Sequence, residues 1–428
     1  MIDKYCIILS LDAVGKDDFA FIKNLPNFKY LIENGSYSFN VKSIYPTLTY
    51  PAHTTIVTGK YPKNHGITNN FLIQPNKKNC DWFWFRKNIK SETFYDLAKK
   101  HAFTTASILW PVTAKANIDF NMPEILPHKS WHNQVLVSLL NGSKFFQFDM
   151  NRRFGYMRNG IKQPNLDNFS MATTLHLLKH KKPNLTLVHL TDVDSQKHKF
   201  GIKSKEVEQS LLRHDYRLGQ LLRLLREEEI LEKTNIVVLG DHSAKNVSKV
   251  VKLNKLFLKE NLLQKNNDNT ISNWKVYMNT CDGSAYIYIN KNTSDKDLLK
   301  KQVENLILKF STENGNFIKT LFSSKEASNL GADPNCDFMI EGNDGFYFLN
   351  DLEGEVIQNV SEKYDKATHG YSPNKNNYET FFIAIGPNIK QNFNIGPMNL
   401  VDEAPTISKI LNFEFKGTDG NSLNQIFK

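Results

Sequence analysis

Cysteine is scarce in this chain: Cys6, Cys80, Cys281 and Cys336 are scattered over 428 residues without a spacing pattern. That is too few to staple a chain of this length, which excludes a disulfide-framed fold and leaves Cys6, inside an apolar run, as a small core residue. No apolar run reaches about 18 residues, the length a membrane-crossing helix needs, so no membrane span is expected. Internal repeats and low-complexity tracts are also missing, which removes repeat arrays and disordered tails. Acidic residues are in deficit, 44 against 54 Lys and Arg, giving a net charge of +10. The excess is spread as single lysines and as short basic groups such as Lys99-Lys100 and Lys300-Lys301 on helix faces, where solvated charge is the rule. Without a stripe of basic and aromatic residues, no duplex nucleic acid is expected as a partner, although the charge could steer a small phosphate-bearing molecule.

What is present is a globular composition, 40% hydrophobic and 23% charged, long enough to bury a large core. Five runs rich in Ile, Val, Leu and Phe are short and unbroken: 5–11, 105–109, 185–190, 236–239 and 380–385. Such runs predict strands covered on both faces, as in a mostly parallel sheet. Helical patterns separate them at 26–33, 92–101, 171–181 and 204–231. In the last of these Val207, Leu211, Leu218, Leu222 and Leu225 fall on one face. The expected fold is therefore layered α/β, with helices on both faces of the sheet. The stretch Lys252 to Asn350 breaks the rhythm and reads as a small α+β insertion that caps the site. The segment from Asn399 to Phe413 then returns to the core. Residues 1–428 are expected to form one catalytic domain including that cap.

Polar residues with a taste for metals stand where those strands end. Asp12 follows YCIILSL, Asp194 and His198 follow NLTLVHLTDV, Asp241 and His242 follow NIVVLG, and His369 lies in KATHGY. A single aspartate after a strand is most often a turn residue or a helix cap. Three in corresponding positions, two of them with a nearby histidine, point instead to a shared site outside the carboxyl ends of the strands. Three carboxylates and three imidazoles form a ligand set suited to two zinc ions. The spacing of Asp194 and His198 lets one helical turn aim both at one ion. Thr49, ahead of the helical PAHTTIVTG, is the candidate nucleophile, because a helix N-terminus favours an oxyanion and a metal can lower the hydroxyl pKa.

With these positions assembled, the chain resembles the nucleotide pyrophosphatase/phosphodiesterase family of the alkaline phosphatase superfamily. The most specific stretch is PTLTYPAHTTIVTGKYPKNHG, Pro46 to Gly66, supported by LSLD ending at Asp12, TASILWP at Thr105 to Pro111, and THG at His369. The resemblance implies an alkaline phosphatase-like fold and two bound zinc ions, with manganese as the alternative. It further implies that Asp194, His198 and His369 hold one ion, while Asp12, Asp241, His242 and Thr49 hold the other. Asn70 would donate a hydrogen bond to a phosphoryl oxygen, and Tyr50 would offer an aromatic face to the leaving nucleoside. Trp82, Phe83, Trp84 and Phe85 are read as core more than as pocket, His53 and His65 as braces of the motif loop, and Asp17, Asp18 and Asp192 as loop or supporting groups. His189 departs from the pattern, standing where a tyrosine is expected five residues before Asp194.

The implied activity is hydrolysis of phosphodiester or phosphoanhydride bonds in a small nucleotide-like substrate through a phosphothreonine intermediate. A phosphomonoesterase or phosphonate hydrolase is the alternative, disfavoured because the motif segments contain no arginine for an extra phosphate charge. A sulfatase is disfavoured by the missing C/S-x-P-x-R motif. A non-catalytic nucleotide-binding protein would be expected to have lost ligands, and none is lost. The direct run of MIDKY into the first strand gives the expectation of a cytoplasmic location; the oligomeric state is left open.

Overall fold

Unbroken apolar runs bury both faces of a strand, and the central sheet is assembled from them in this computed structural model, which describes residues 5–126 and 134–428. Its strand order is Phe393–Asn394, Ser36–Lys42, Thr380–Ile385, Thr234–Leu239, Tyr5–Leu11, Leu185–Leu190, Thr105–Ile108 and Phe120–Met122, with Met398–Asn399 also paired to Ser36–Lys42. Tyr5–Leu11 runs parallel to both Leu185–Leu190 and Thr234–Leu239. The strand Thr380–Ile385 is antiparallel to both neighbours, so the expected sheet is mixed at that position. Met1 to Lys4 and residues 127–133 lie outside the described residues.

Alternation along the strands feeds two cores. Ile7, Leu9 and Leu11 point to one side with Ile236 and Val238, while Cys6 and Ile8 point to the other with Val237 and Leu239. The helix Lys205–Glu227, capped by the Ser204 hydroxyl accepting from the Val207 N–H, closes the first side. Its Val207, Leu211, Leu218, Leu222 and Leu225 are all in that core, each contributing about 1.5–3 kcal/mol on burial. The helix expected at 171–181 begins earlier, spanning Asn165–His180, with Asp167 in its first turn. No helix among the described residues is long and apolar enough to cross a membrane.

The segment expected as an insertion has its own antiparallel sheet in the order Val276–Cys281, Ser284–Ile289, Phe338–Gly342, Ile318–Ser323. The helix Lys296–Glu313 packs on it through Leu299, Val303 and Ile307, in a separate hydrophobic core. Pairing extends the unit beyond its expected limits at both ends. Lys245–Val251 takes Gly345–Phe348 as a parallel partner, and Ile357–Asn359 and Ala367–Thr368 as antiparallel ones. The register Thr368↔Lys245 matters for the site, because it carries the chain back from the insertion to set His369 beside the loop of His242.

Candidate two-metal active site

Three adjacent parallel strands deliver the carboxylates. Asp12 directly follows Tyr5–Leu11, Asp241 follows Thr234–Leu239 by two residues, and Asp194 sits in the first turn of the helix Asp192–Phe200 that succeeds Leu185–Leu190. In that helix Asp194 and His198 are one turn apart, and the His198 Nε2 lies 3.2 Å from Asp194 Oδ1. His369 Nε2 approaches the same oxygen at 3.8 Å. On the other side, His242 Nε2 lies 3.1 Å from Asp241 Oδ2 and 3.6 Å from Asp12 Oδ1. The two triads, Asp194 with His198 and His369, and Asp12 with Asp241 and His242, each place their ligand atoms within 4.8 Å of one another. The His242 and His369 rings stack with centroids 4.1 Å apart, which makes the triads neighbours.

These residues fit metal ions on two grounds. Donors on a tetrahedron with bonds of about 2.1 Å stand roughly 3.4 Å apart, close to the contacts within each triad. Furthermore Asp12 Oδ1, Asp194 Oδ1 and Asp241 Oδ2 are buried without a hydrogen-bond partner among the described residues, and these are the atoms that converge. Buried unpaired anionic oxygens are costly unless a cation meets them. Burial, reinforced by the charges of Asp241 and Asp194 and opposed by His189, pushes Asp12 up to about 7. Burial likewise pushes Asp241 up to about 7.

The opposite edges of Asp241 and of the three imidazoles are held. Asp241 Oδ1 accepts from the Ala13 and His242 N–H groups at 3.1 and 2.9 Å. The Nδ1 atoms of His198, His369 and His242 face Asp365 Oδ2 at 3.3 Å, the Thr47 carbonyl at 3.2 Å and the Ser243 carbonyl at 3.2 Å respectively. Each imidazole therefore turns its Nε2 inward, the arrangement that fixes tautomer and ring orientation at a metal site. Gly370, in the left-handed region at φ +81, donates its N–H to the Thr47 carbonyl. A Cβ there would fall 1.7 Å from the Cys281 carbonyl oxygen, so a side chain is shut out.

Thr49 is the first residue of the fully buried helix Thr49–Thr58, with extended Leu48 as its cap. Its Oγ1 lies 3.3 Å from His242 Nε2. Asn70 comes alongside by accepting the Tyr50 N–H at Oδ1, 2.9 Å away, which commits that oxygen and leaves its amide nitrogen to donate elsewhere. His65 braces the motif loop, bonding to the Thr55 hydroxyl and accepting the Ile67 N–H. His53 Nδ1 reaches the Thr49 carbonyl at 2.8 Å. Tyr50 is only 1% exposed, its hydroxyl donates to Glu124, and Trp82 packs edge-on against its ring. Its ring belongs to a cluster with Ile67, Trp84 and Val112. Trp82, Phe83 and Phe85 are the half-buried aromatics of that cluster.

Sequence reasoning missed the groups behind the ligands. His189 joins Asp12 Oδ2 at 3.0 Å through Nε2 and Glu124 Oε2 at 3.2 Å through Nδ1. Burial opposes its charge, yet the hydrogen bonds to Asp12 and Glu124 outweigh that and hold its pKa well above the usual histidine range. Glu124, Asp365 and Asp282, the last 3.9 Å from His369 Nδ1, occupy loops without a motif. Asp18, by contrast, is paired with buried Lys197, and Asp192 with Arg213 and Arg217.

Comparison with known proteins places this geometry in context. The family model described as Type I phosphodiesterase / nucleotide pyrophosphatase matches residues 6–372. Human ectonucleotide pyrophosphatase/phosphodiesterase family member 1 is 27% identical over 244 residues, covering 54% of this chain and 22% of that protein. The venom phosphodiesterase of Naja atra is 23% identical over 431 residues, covering 94% of this chain and 44% of that one. The chain thus spans less than half the length of both relatives. Among solved structures, murine ectonucleotide pyrophosphatase/phosphodiesterase 5, an inactive variant in complex with AMP, superposes with a TM-score of 0.69 at 18% identity, covering 99% of this chain and 100% of that one. The human counterpart gives 0.70 at 17%. Those likenesses establish the alkaline phosphatase-like α/β fold.

Proposed function

The chain belongs to the type I phosphodiesterase / nucleotide pyrophosphatase family, and from that premise we propose a two-metal hydrolase that cleaves phosphodiester or phosphoanhydride bonds of small nucleotide-like molecules through a phosphothreonine. The observation that carries this reading is the Thr49 hydroxyl lying 3.3 Å from His242 Nε2, at the edge of one ligand triad and beside the other. Asp194, His198 and His369 would hold one ion, and Asp12, Asp241 and His242 the other with Thr49 beside it. Zinc suits the mixed carboxylate and imidazole set, and manganese is the alternative. When bound, such metals supply Lewis acidity that lowers the hydroxyl pKa and neutralises phosphoryl charge.

The chain's own groups do the rest. Thr49 Oγ1 gives up its proton and bonds to phosphorus while the bond to the leaving oxygen breaks on the opposite side, and that oxygen takes up a proton. Water then attacks the phosphothreonine from the vacated side, releasing phosphate or its monoester and restoring the hydroxyl. The Thr49 N–H at the start of Thr49–Thr58, where Tyr50 and Ala52 already spend theirs on Asn70 and Leu48, and the amide nitrogen of Asn70 can donate to the non-bridging oxygens. Thr49→Ala should abolish turnover of bis-p-nitrophenyl phosphate while bound metal, measured by elemental analysis, stays at the parent level. An unchanged rate refutes the nucleophile. Faster turnover of p-nitrophenyl phosphate than of the diester would replace the diesterase reading by a monoesterase.

A further inference from the structure

A cavity of about 360 Å³ is lined by Lys245, Lys319 and Lys375 with Asn246, Asn374 and the single carboxylate of Asp344. Its walls come from three places next to the catalytic machinery. Lys245 and Asn246 open the strand that begins three residues after His242, Ile202 follows the helix carrying Asp194 and His198, and Tyr371 is two residues beyond His369. Tyr371 is fully buried, with its hydroxyl donating to the Phe346 carbonyl.

The informative residue is Lys375. Its side chain is 6% exposed and its Nζ stands 4.5 Å from the centre of the Tyr371 ring. A buried ammonium is costly unless its charge is answered. The answer here is Asp344 at 2.6 Å, whose own side chain is 90% exposed. An exposed carboxylate on a strand-connecting turn, next to Gly345 at φ +84, is easily withdrawn into water. Lys245 adds a second charge, anchored by donating to the Asn377 carbonyl at 2.8 Å. Burial lowers its pKa, and the Lys375 charge adds to that against the opposing charge of Asp17, so the two ammonium groups feel one another. Lys319 adds a third from the rim. Three cations thus face one carboxylate within the cavity walls, Asp344, while Asp17 and Glu379 act on Lys245 and Glu341 on Lys375 and Lys319 from outside them.

We propose that this cavity is a binding site for a small polyanion carrying phosphate groups, of the inorganic pyrophosphate type, with Asp344 occupying the anion's place until it is displaced. Lys375 would hold the anion from below, Lys245 and Lys319 from the sides, and the amides of Asn246 and Asn374 lie within the same walls. The inference stands apart from the proposed reaction, since it uses none of the metal ligands and requires no turnover.

Inorganic pyrophosphate binding to the full-length chain, followed by calorimetry after chelator treatment, tests it. Without metals the carboxylates of Asp12, Asp194 and Asp241 repel an anion, so the catalytic centre does not contribute. One site per chain is expected, weakened about tenfold or more by Lys319→Ala and by Lys375→Met, as removal of a charge-assisted contact entails. Asp344→Asn should tighten binding by removing the competitor. Lys319 and Asp344 are exposed, so their variants keep the test sound if Lys375→Met fails to fold. No measurable pyrophosphate binding, or binding indifferent to both Lys319→Ala and Asp344→Asn, overturns the proposal.

Discussion

Replacing His189 by Leu removes the only side-chain donor to Asp12 Oδ2 among the described residues while keeping an apolar side chain of comparable bulk in the strand Leu185–Leu190. Asp12 uses its two oxygens differently: Oδ2 is tied to His189 at 3.0 Å, and Oδ1, unpartnered, faces His242 and the triad. Without the tie the carboxylate is free to rotate, and Glu124, which holds the far nitrogen of His189 at 3.2 Å, keeps only the Tyr50 hydroxyl. One hydrogen bond to a charged group is worth about 1.5–3 kcal/mol, or roughly ten- to a hundredfold in an equilibrium constant. Groups that orient metal ligands cost about 10–100-fold in affinity when removed, in agreement. Zinc affinity, measured by competition with a chelator of known strength, should therefore fall by about one to two orders of magnitude in His189→Leu. His189→Gln, which can still donate to Asp12, should recover part of the loss. Far-ultraviolet circular dichroism separates this effect from unfolding. If folded His189→Leu binds zinc within twofold of the parent, the orienting role is wrong.

Three further outcomes follow from particular contacts. Asn70→Asp keeps the acceptor for the Tyr50 N–H but loses the amide donor; kcat on bis-p-nitrophenyl phosphate should drop by about 10²–10³, and a loss under threefold would remove Asn70 from the phosphoryl site. Stripping the metals with a chelator should abolish turnover and lower Tm. Added zinc should restore both, with stabilisation of about 4 kcal/mol at a thousandfold excess over Kd; a Tm indifferent to zinc argues against the two sites. Lys197→Met leaves the buried Asp18 carboxylate without the ammonium that contacts it at 2.6 Å, so urea unfolding should show a loss of about 3–5 kcal/mol. A loss below 1 kcal/mol would mean that water reaches Asp18 instead.

The convergence of carboxylates and imidazoles was legible in the sequence because each carboxylate stands at or just beyond the end of an unbroken apolar strand, and strand ends are rigid enough to align them. Asp194 and His198 could be read as one helical turn from their spacing alone, and the helix Asp192–Phe200 bears that out. The strand Ser36–Lys42 escaped notice because it lies near the sheet edge, where its residues alternate between buried and partly exposed, a weaker pattern than Tyr5–Leu11. The direction of Thr380–Ile385 was not readable at all: an apolar run specifies burial, and its antiparallel sense is set by the path that returns from the insertion. That same path explains the boundary that moved. Strand pairing between Lys245–Val251 and Ala367–Thr368 is a contact across more than a hundred residues, and no local pattern announces it. Glu124, Asp365 and Asp282 were invisible for a related reason. They lie in loops, where one acidic residue resembles any other, and their meaning comes only from the imidazoles they face. The sequence therefore discloses groups that strands aim at a site, while those that hold the ligands from behind emerge only once the insertion has folded back and closed the ring around His242 and His369.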